Sequence, residues 1–85
     1  MGERVITERT EKFQKALKHI KAGNQKIKIW KQIEKIIENP EIGKPMRNVR
    51  KGTREVYVSP FRLSYVYLKR GSKIILLDLY HKDEQ

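Results

Sequence analysis

The chain has no cysteine, only two histidines and no long apolar run, and each absence excludes a class of protein. Without cysteine it can form neither disulfides nor thiolate metal sites. His19 and His81 have no carboxylates at the spacing of a zinc site, so we expect no metal and no cofactor. No apolar segment reaches the length that spans a bilayer, and MGERVITERT lacks the apolar part of a signal peptide. These absences predict a cytoplasmic protein with no membrane partner.

Acidic residues are also scarce, with ten against twenty basic ones, so the net charge is +10. The excess is concentrated in residues 44–70, which hold eight basic residues and one acid. Aromatic residues interleave with this segment, and this combination favours a nucleic-acid partner. The same segment also fits an acidic protein partner. A third interpretation is that the enrichment in lysine and isoleucine reflects genome composition or a high growth temperature, at which charged surfaces are favoured.

A length of 85 residues predicts one domain, residues 1–85. A short edge strand is expected over residues 4–7. Apolar residues at helical spacing predict one helix over 11–22 and a second from Asn24 to Asn39, before Pro40. We expect the apolar side of the second helix to be formed by Ile27, Trp30, Ile33 and Ile37, with Ile29 and Ile36 flanking them.

Residues 54–58, 61–69 and 73–81 predict three strands, joined by tight turns at Ser59-Pro60 and Gly71-Ser72. Alternation places one apolar set under the helices: Val56, Val58, Leu63, Tyr65, Tyr67, Ile75, Leu77 and Leu79. The opposite, open face then holds Glu55, Tyr57, Arg62, Ser64, Val66, Asp78, Tyr80 and Lys82. The expected fold is α+β, with a short N-terminal strand and a helical hairpin packed on one face of an antiparallel sheet of three to four strands.

The polar face carries the residues with which RNA can be cleaved by its own 2′-hydroxyl. That reaction needs a base, a cation for the charge on the phosphoryl oxygens, and an acid for the leaving 5′-oxygen. Arg62 and Lys82 supply positive charge, and Glu55 is a candidate base. Tyr57, Tyr80 and His81 are candidates for donating a proton or stacking on a base. Two simpler roles stay open: Arg62 as a cross-strand ion-pair partner of Glu55, and His81, which alternation turns toward the helices, as a hydrogen-bonding residue at the strand end.

The chain resembles the RelE/ParE toxin superfamily. The order of a strand, two helices and three antiparallel strands is similar to that family's. So are Asn39-Pro40 followed by GKPM at 43–46, the hairpin TREVYVSPFRLSYVY at 53–67, and His81-Lys82 near the end of the last strand.

This resemblance implies the toxin of a toxin-antitoxin system, an mRNA interferase that cuts mRNA on the ribosome without a metal and is blocked in a complex with a RelB-like antitoxin. Arg62 matches the family's phosphate-stabilising hairpin arginine, and Lys82 matches the basic residue of the last strand. Glu55 and Tyr57 stand where many members have two basic residues. We further expect four residues to bind the backbone of mRNA or ribosomal RNA: Arg47, Arg50, Lys51 and Arg54.

Two alternative functions remain open. The first is a ParE-like toxin that inhibits DNA gyrase and is not a nuclease. The second is a catalytically weak RNA- or protein-binding member of the same fold. Tyr57 in place of a basic residue favours the weak member, as does the end of the chain at Gln85, which gives no counterpart to the C-terminal tyrosine of several active toxins.

Overall fold

The computed structural model describes residues 5–83, which form two helices and five strands. The strands are β1 (Ile6–Arg9), β2 (Lys44–Pro45), β3 (Arg54–Val58), β4 (Phe61–Leu68) and β5 (Lys73–His81). The helices are α1 (Glu11–His19) and α2 (Gly23–Glu38), and short 3-10 helices occupy Asn48–Arg50 and Lys69–Gly71. In the described part of the chain, no helix is long and apolar enough to cross a membrane.

The strands form one sheet in the order β1-β5-β4-β3-β2. All neighbours are antiparallel except β1, which runs parallel to β5. The α+β prediction is confirmed, with five strands where three to four were expected. The N-terminal strand begins at Ile6, later than predicted, and Arg4 lies outside the described residues.

Thr10 fastens α1 to the sheet. Its hydroxyl oxygen accepts a hydrogen bond from the Phe13 backbone N–H at 3.0 Å, which caps the helix, and the hydroxyl donates to the Leu77 carbonyl at 2.6 Å. The helix buries Phe13, and Ile20 is buried at its end, while Ala16 and Leu17 pack around them. Helix α1 ends at His19, earlier than the predicted residue 22.

Helix α2 buries a different side from the one expected. Ile29, Ile33 and Ile36 lie in the core, whereas Trp30 is 42% exposed. Ile27 and Ile37 are exposed as well, so the prediction was wrong for three of its four positions. The isoleucines and Trp30 together cover about half of the helix circumference. Both sets lie within this apolar half and have helical spacing, so the pattern alone does not choose between them.

Strand β5 contains a bulge that changes which residues face the helices. Ser64 pairs with Asp78 but Tyr65 pairs with Leu76, so Leu77 is an extra residue in the ladder. As a result Ile74 and Leu76 are buried, in place of Ile75 and Leu77 as predicted. The other members of the predicted apolar face lie in the core or pack against it: Val56, Val58, Leu63, Tyr65, Tyr67 and Leu79.

Tyr65 connects the core to the segment that enters β2. The side chain is fully buried, and its hydroxyl donates to the Pro40 carbonyl at 2.7 Å and accepts from the Gly43 N–H at 2.9 Å. A Cβ on Gly43 would lie 2.6 Å from that hydroxyl oxygen. This close approach explains why a residue without a side chain precedes β2.

Candidate functional site

The polar face of the sheet is organised around the carboxylate of Glu55. Glu55 stands on β3 and is only 7% exposed. Its Oε2 accepts a hydrogen bond from Arg50 Nη1 at 2.9 Å and another from the Tyr80 hydroxyl. The same Arg50 nitrogen donates to the Tyr80 oxygen at 2.6 Å. Three residues from a loop, β3 and β5 therefore form one closed hydrogen-bonded triangle.

Arg62 lies on β4, between β3 and β5. It stands opposite Tyr57 in the β3–β4 ladder and opposite Tyr80 in the β4–β5 ladder. Its Nη1 is 3.7 Å from Glu55 Oε1, and its guanidinium carbon is 5.7 Å from the centre of the Tyr57 ring. Glu55, Tyr57, Arg62 and Tyr80 thus lie together on one face of the sheet, as predicted. Arg62 also forms the cross-strand ion pair with Glu55 that was considered as its simpler role.

Burial raises the pKa of Tyr80 above its ordinary value of 10.0, and the hydrogen bond to Glu55 raises it further. The hydroxyl is therefore neutral near pH 7 and acts as a hydrogen-bond donor. The hydrogen bond with Tyr80 and the nearby Glu55 carboxylate raise the pKa of Arg50, which stays charged. The face therefore holds the guanidinium groups of Arg50 and Arg62 around the carboxyl group of Glu55.

Two of the predicted residues lie apart, at the end of β5. His81 points to the side of the strand opposite Tyr80, toward the helices as alternation indicates. Its ring and that of Phe61 form a T-shaped pair with a centroid distance of 5.8 Å. Lys82 follows the last residue of the strand and is exposed, with its backbone N–H bonded to the Pro60 carbonyl. Within residues 5–83, the Lys82 side chain forms no ion pair with the Glu55 group. Gln85 lies outside the described residues.

The four predicted RNA-binding residues separate into two kinds. Arg47, Arg50 and Lys51 lie on the loop between β2 and β3, and the side chains of Arg47 and Lys51 are exposed. Arg54 points to the other side of β3, where its Nη1 donates to the carbonyls of Glu41 at 3.0 Å and Gly43 at 2.8 Å. Its guanidinium is therefore used to hold the segment before β2.

Sequence reasoning did not place Arg50 in contact with Glu55 and Tyr80. The contact depends on a loop that folds back over the sheet, with Asn48 at a φ of 62° and Gly52 at a φ of 97°. Asparagine and glycine are the residues that most readily adopt such angles. The sequence NVRKG at 48–52 therefore indicates a tight loop, but it does not indicate that the loop folds toward Glu55.

A cleft of about 840 Å³ adjoins this group between α1 and the end of β5. Lys12, Lys15 and His19 line one wall, and Phe61, Tyr80 and His81 line the other. Asp78 also lies there and is paired with Lys12 at 3.4 Å. In the described range, no three His, Cys, Asp or Glu side chains come together as a metal ion would require.

Comparison with known proteins identifies relatives of this chain. Residues 8–85 match the model of the family described as the ParE toxin of type II toxin-antitoxin systems, parDE. No curated protein sequence matches the chain.

Solved structures share the fold at low sequence identity. The toxin in the intact RelBE complex of E. coli superposes with a TM-score of 0.77 at 14% identity, over 95% of this chain and 99% of that one. The archaeal RelE–RelB complex from Pyrococcus horikoshii gives 0.77 at 12% identity, over 98% and 100%. A YoeB/ParE toxin from Agrobacterium tumefaciens gives 0.81 at 13% identity, over 91% and 98%.

Proposed function

The chain belongs to the RelE/ParE superfamily of toxins from toxin-antitoxin systems. From this premise we propose that it is a ribosome-dependent mRNA endoribonuclease. In this proposal it acts in the cytoplasm, needs no metal, and inhibits translation by cutting mRNA.

The observation that carries the proposal is the position of Arg62. Its side chain is 37% exposed in the middle of a sheet face, and it lies against Tyr57 and beside Glu55. A guanidinium fixed in this way can donate two hydrogen bonds to a phosphate without first losing much side-chain freedom. A solvated surface arginine would lack this fixed orientation.

In the proposed reaction the RNA 2′-oxygen bonds to phosphorus while the bond to the 5′-oxygen breaks. The 2′-hydroxyl proton passes to a base, and the leaving 5′-oxygen takes a proton from an acid, which leaves a 2′,3′-cyclic phosphate and a 5′-hydroxyl. Arg62 stabilises the charge on the phosphoryl oxygens. Glu55 is the candidate base of the sequence prediction, the candidate acids are Tyr57, Tyr80 and His81, and Lys82 is a candidate second source of positive charge.

The loop between β2 and β3 supports binding of an RNA backbone. Arg47 and Lys51 are exposed on this loop, and Arg50 of the same loop is bonded to Glu55. Contacts between such side chains and phosphates position an RNA without reading its sequence. The loop would therefore hold mRNA or ribosomal RNA near Arg62.

We also propose a protein antitoxin as partner, in a heteromeric complex. Several of the similar structures are complexes of a RelE-type toxin with its RelB antitoxin. Here one side of α2 exposes Ile27, Trp30 and Ile37 next to several lysines. An acidic, amphipathic helical segment would cover such a mixed surface and neutralise part of the +10 charge.

A gyrase-inhibiting activity is the second candidate, because the matching family model is that of ParE toxins. A further observation favours it. Glu55, the candidate base, is buried and already bonded to Arg50 and Tyr80, so it is not open to a substrate hydroxyl. The weak RNA- or protein-binding member of the fold fits the same observation.

Two assays distinguish these activities. Purified toxin is added to translated mRNA with and without ribosomes, and cuts are mapped by primer extension. The same preparation is added to DNA gyrase in a supercoiling assay. The proposal predicts cuts that require ribosomes and unchanged supercoiling, whereas intact mRNA with blocked supercoiling would select the gyrase inhibitor.

A further inference from the structure

The surroundings of Glu55 are those of a structural anchor. A buried carboxylate is costly unless its oxygens are paired, and both oxygens of Glu55 are paired. Oε2 accepts from Arg50 and Tyr80, and Oε1 faces Arg62 Nη1 at 3.7 Å. A general base needs an oxygen that reaches the substrate proton, and in this arrangement the oxygens point at the protein's own donors.

The two arginines that converge on this carboxylate are held alike. The guanidinium carbon of Arg50 is 5.3 Å from the centre of the Tyr80 ring, and that of Arg62 is 5.7 Å from the centre of the Tyr57 ring. Each cation is thus fixed between an aromatic ring and one oxygen of the same carboxylate. The guanidinium groups of Arg50 and Arg62 therefore converge on the same carboxylate, that of Glu55.

Both arginines keep donors for a second anion. An arginine has five N–H donors, and Glu55 and Tyr80 occupy only Nη1 of Arg50. Within the described residues, the buried Nε of Arg62 has no hydrogen-bond partner. The two side chains are 45% and 37% exposed, so part of each can be reached from solvent, although the Nε of Arg62 itself is buried.

We propose that Glu55 is a positioning residue that holds Arg50 and Arg62 as a two-armed clamp for one phosphate group of a single-stranded RNA. Arg50 thereby becomes a second phosphate-contacting group beside Arg62, and the Glu55 carboxylate is not the base of the reaction. The inference rests on the proposed RNA-cleaving function and assigns roles within that site.

Binding is measured first, because it does not depend on cleavage. The probe is a short single-stranded RNA with 2′-O-methyl groups, which cannot be cut, and its dissociation constant is measured by fluorescence anisotropy. Arg50→Ala and Arg62→Ala should each weaken binding by about tenfold or more, as expected for a charged hydrogen bond. Arg70→Ala, which removes an exposed arginine on the turn between β4 and β5, is the matched control and should change it little.

A double-mutant cycle tests whether both arginines hold the same phosphate. The double variant should bind more tightly than the product of the two single effects predicts, because either loss already opens the clamp. Fully multiplicative effects would mean separate phosphates and would overturn the clamp. A wild-type protein that does not bind the RNA would overturn it too, while cleavage itself is judged separately by the primer-extension assay.

Glu55→Gln separates positioning from base catalysis. The glutamine keeps an acceptor oxygen, so the variant should still cut ribosome-bound mRNA. Its KM should rise by a larger factor than its kcat falls, and the shape of its pH profile should be unchanged. Weaker RNA binding should accompany these changes. Total loss of cleavage with unchanged RNA affinity would make Glu55 the base and overturn the inference, although the proposed function would stand. If this variant does not fold, Arg50→Lys against Arg50→Ala tests the clamp instead: lysine should restore part of the RNA affinity, and equal affinities for the two variants would overturn the clamp.

Discussion

Tyr65 helps to hold the chain before β2 in place through its buried hydroxyl. Its two backbone partners, the Gly43 N–H and the Pro40 carbonyl, would both be left unpaired in Tyr65→Phe. We expect the free energy of unfolding to fall by about 1–3 kcal/mol, measured by urea denaturation.

Tyr67→Phe provides the matched control, because Tyr67 is only partly buried and no hydrogen bond of its hydroxyl is found among residues 5–83. The free energy of unfolding of Tyr67→Phe should lie within about 0.5 kcal/mol of the wild-type value. Equal losses for the two variants would show that the Tyr65 hydrogen bonds add nothing to stability.

Burial of Tyr65 should also make the protein less stable at alkaline pH. Burial raises the pKa of Tyr65 above its ordinary value of 10.0. The stabilisation is therefore complete below pH 10 and is lost as the pH rises through the higher pKa of the folded state. Urea midpoints measured from neutral to strongly alkaline pH should decline above pH 10, and the decline should be shallower in Tyr65→Phe. An identical slope in both proteins would contradict this assignment.

Residues on strands were predicted more reliably than residues on loops. Glu55, Tyr57, Arg62 and Tyr80 share a face because alternation fixes the side of each strand residue. Arg50 could not be placed, since its contact depends on how the loop folds over the sheet. How buried Glu55 would be was missed for the same reason.

Among the elements, α1 depends most on a single cap. Thr10→Ala removes both the hydrogen bond to Phe13 N–H and the one to the Leu77 carbonyl. The free energy of unfolding should fall by about 0.5–2 kcal/mol. Thr10→Ser keeps the hydroxyl and should cost much less, and thermal unfolding of both variants provides the comparison. A serine variant as unstable as the alanine variant would mean that the lost methyl group matters and the cap does not.

The order and type of the helices and of the three long strands followed from apolar spacing and turn residues, whereas the faces of α2 and β5 did not. In α2, contact with the sheet selects Ile29 and Ile33 over Ile27 and Trp30. In β5, the extra residue Leu77 reverses the alternation halfway along the strand. Both depend on tertiary contacts that no local pattern contains.

At the scale of the whole molecule, the charge of +10 should dominate RNA affinity. The logarithm of the binding constant should fall linearly with the logarithm of salt concentration, by about 0.7 for each phosphate contacted in a single strand. Arg47→Ala removes an exposed loop cation and should make the slope shallower by about that amount.

Arg54→Ala provides the contrast in the same titration, because its guanidinium is bonded to the carbonyls of Glu41 and Gly43. The slope should remain that of the wild type, although stability falls. If the slope became shallower for Arg54→Ala and did not change for Arg47→Ala, the two roles would be reversed.

The central claim is that the Arg62 face cuts mRNA on the ribosome. Its most direct test is primer extension on translated mRNA with wild type, Arg62→Ala and Arg70→Ala, each first shown to be folded by circular dichroism. Wild type and Arg70→Ala should give the same cuts, which disappear without ribosomes, and Arg62→Ala should cut at least about 100-fold more slowly, the usual cost of losing one transition-state donor. A folded Arg62→Ala protein that cuts as fast as the wild type would contradict the claim.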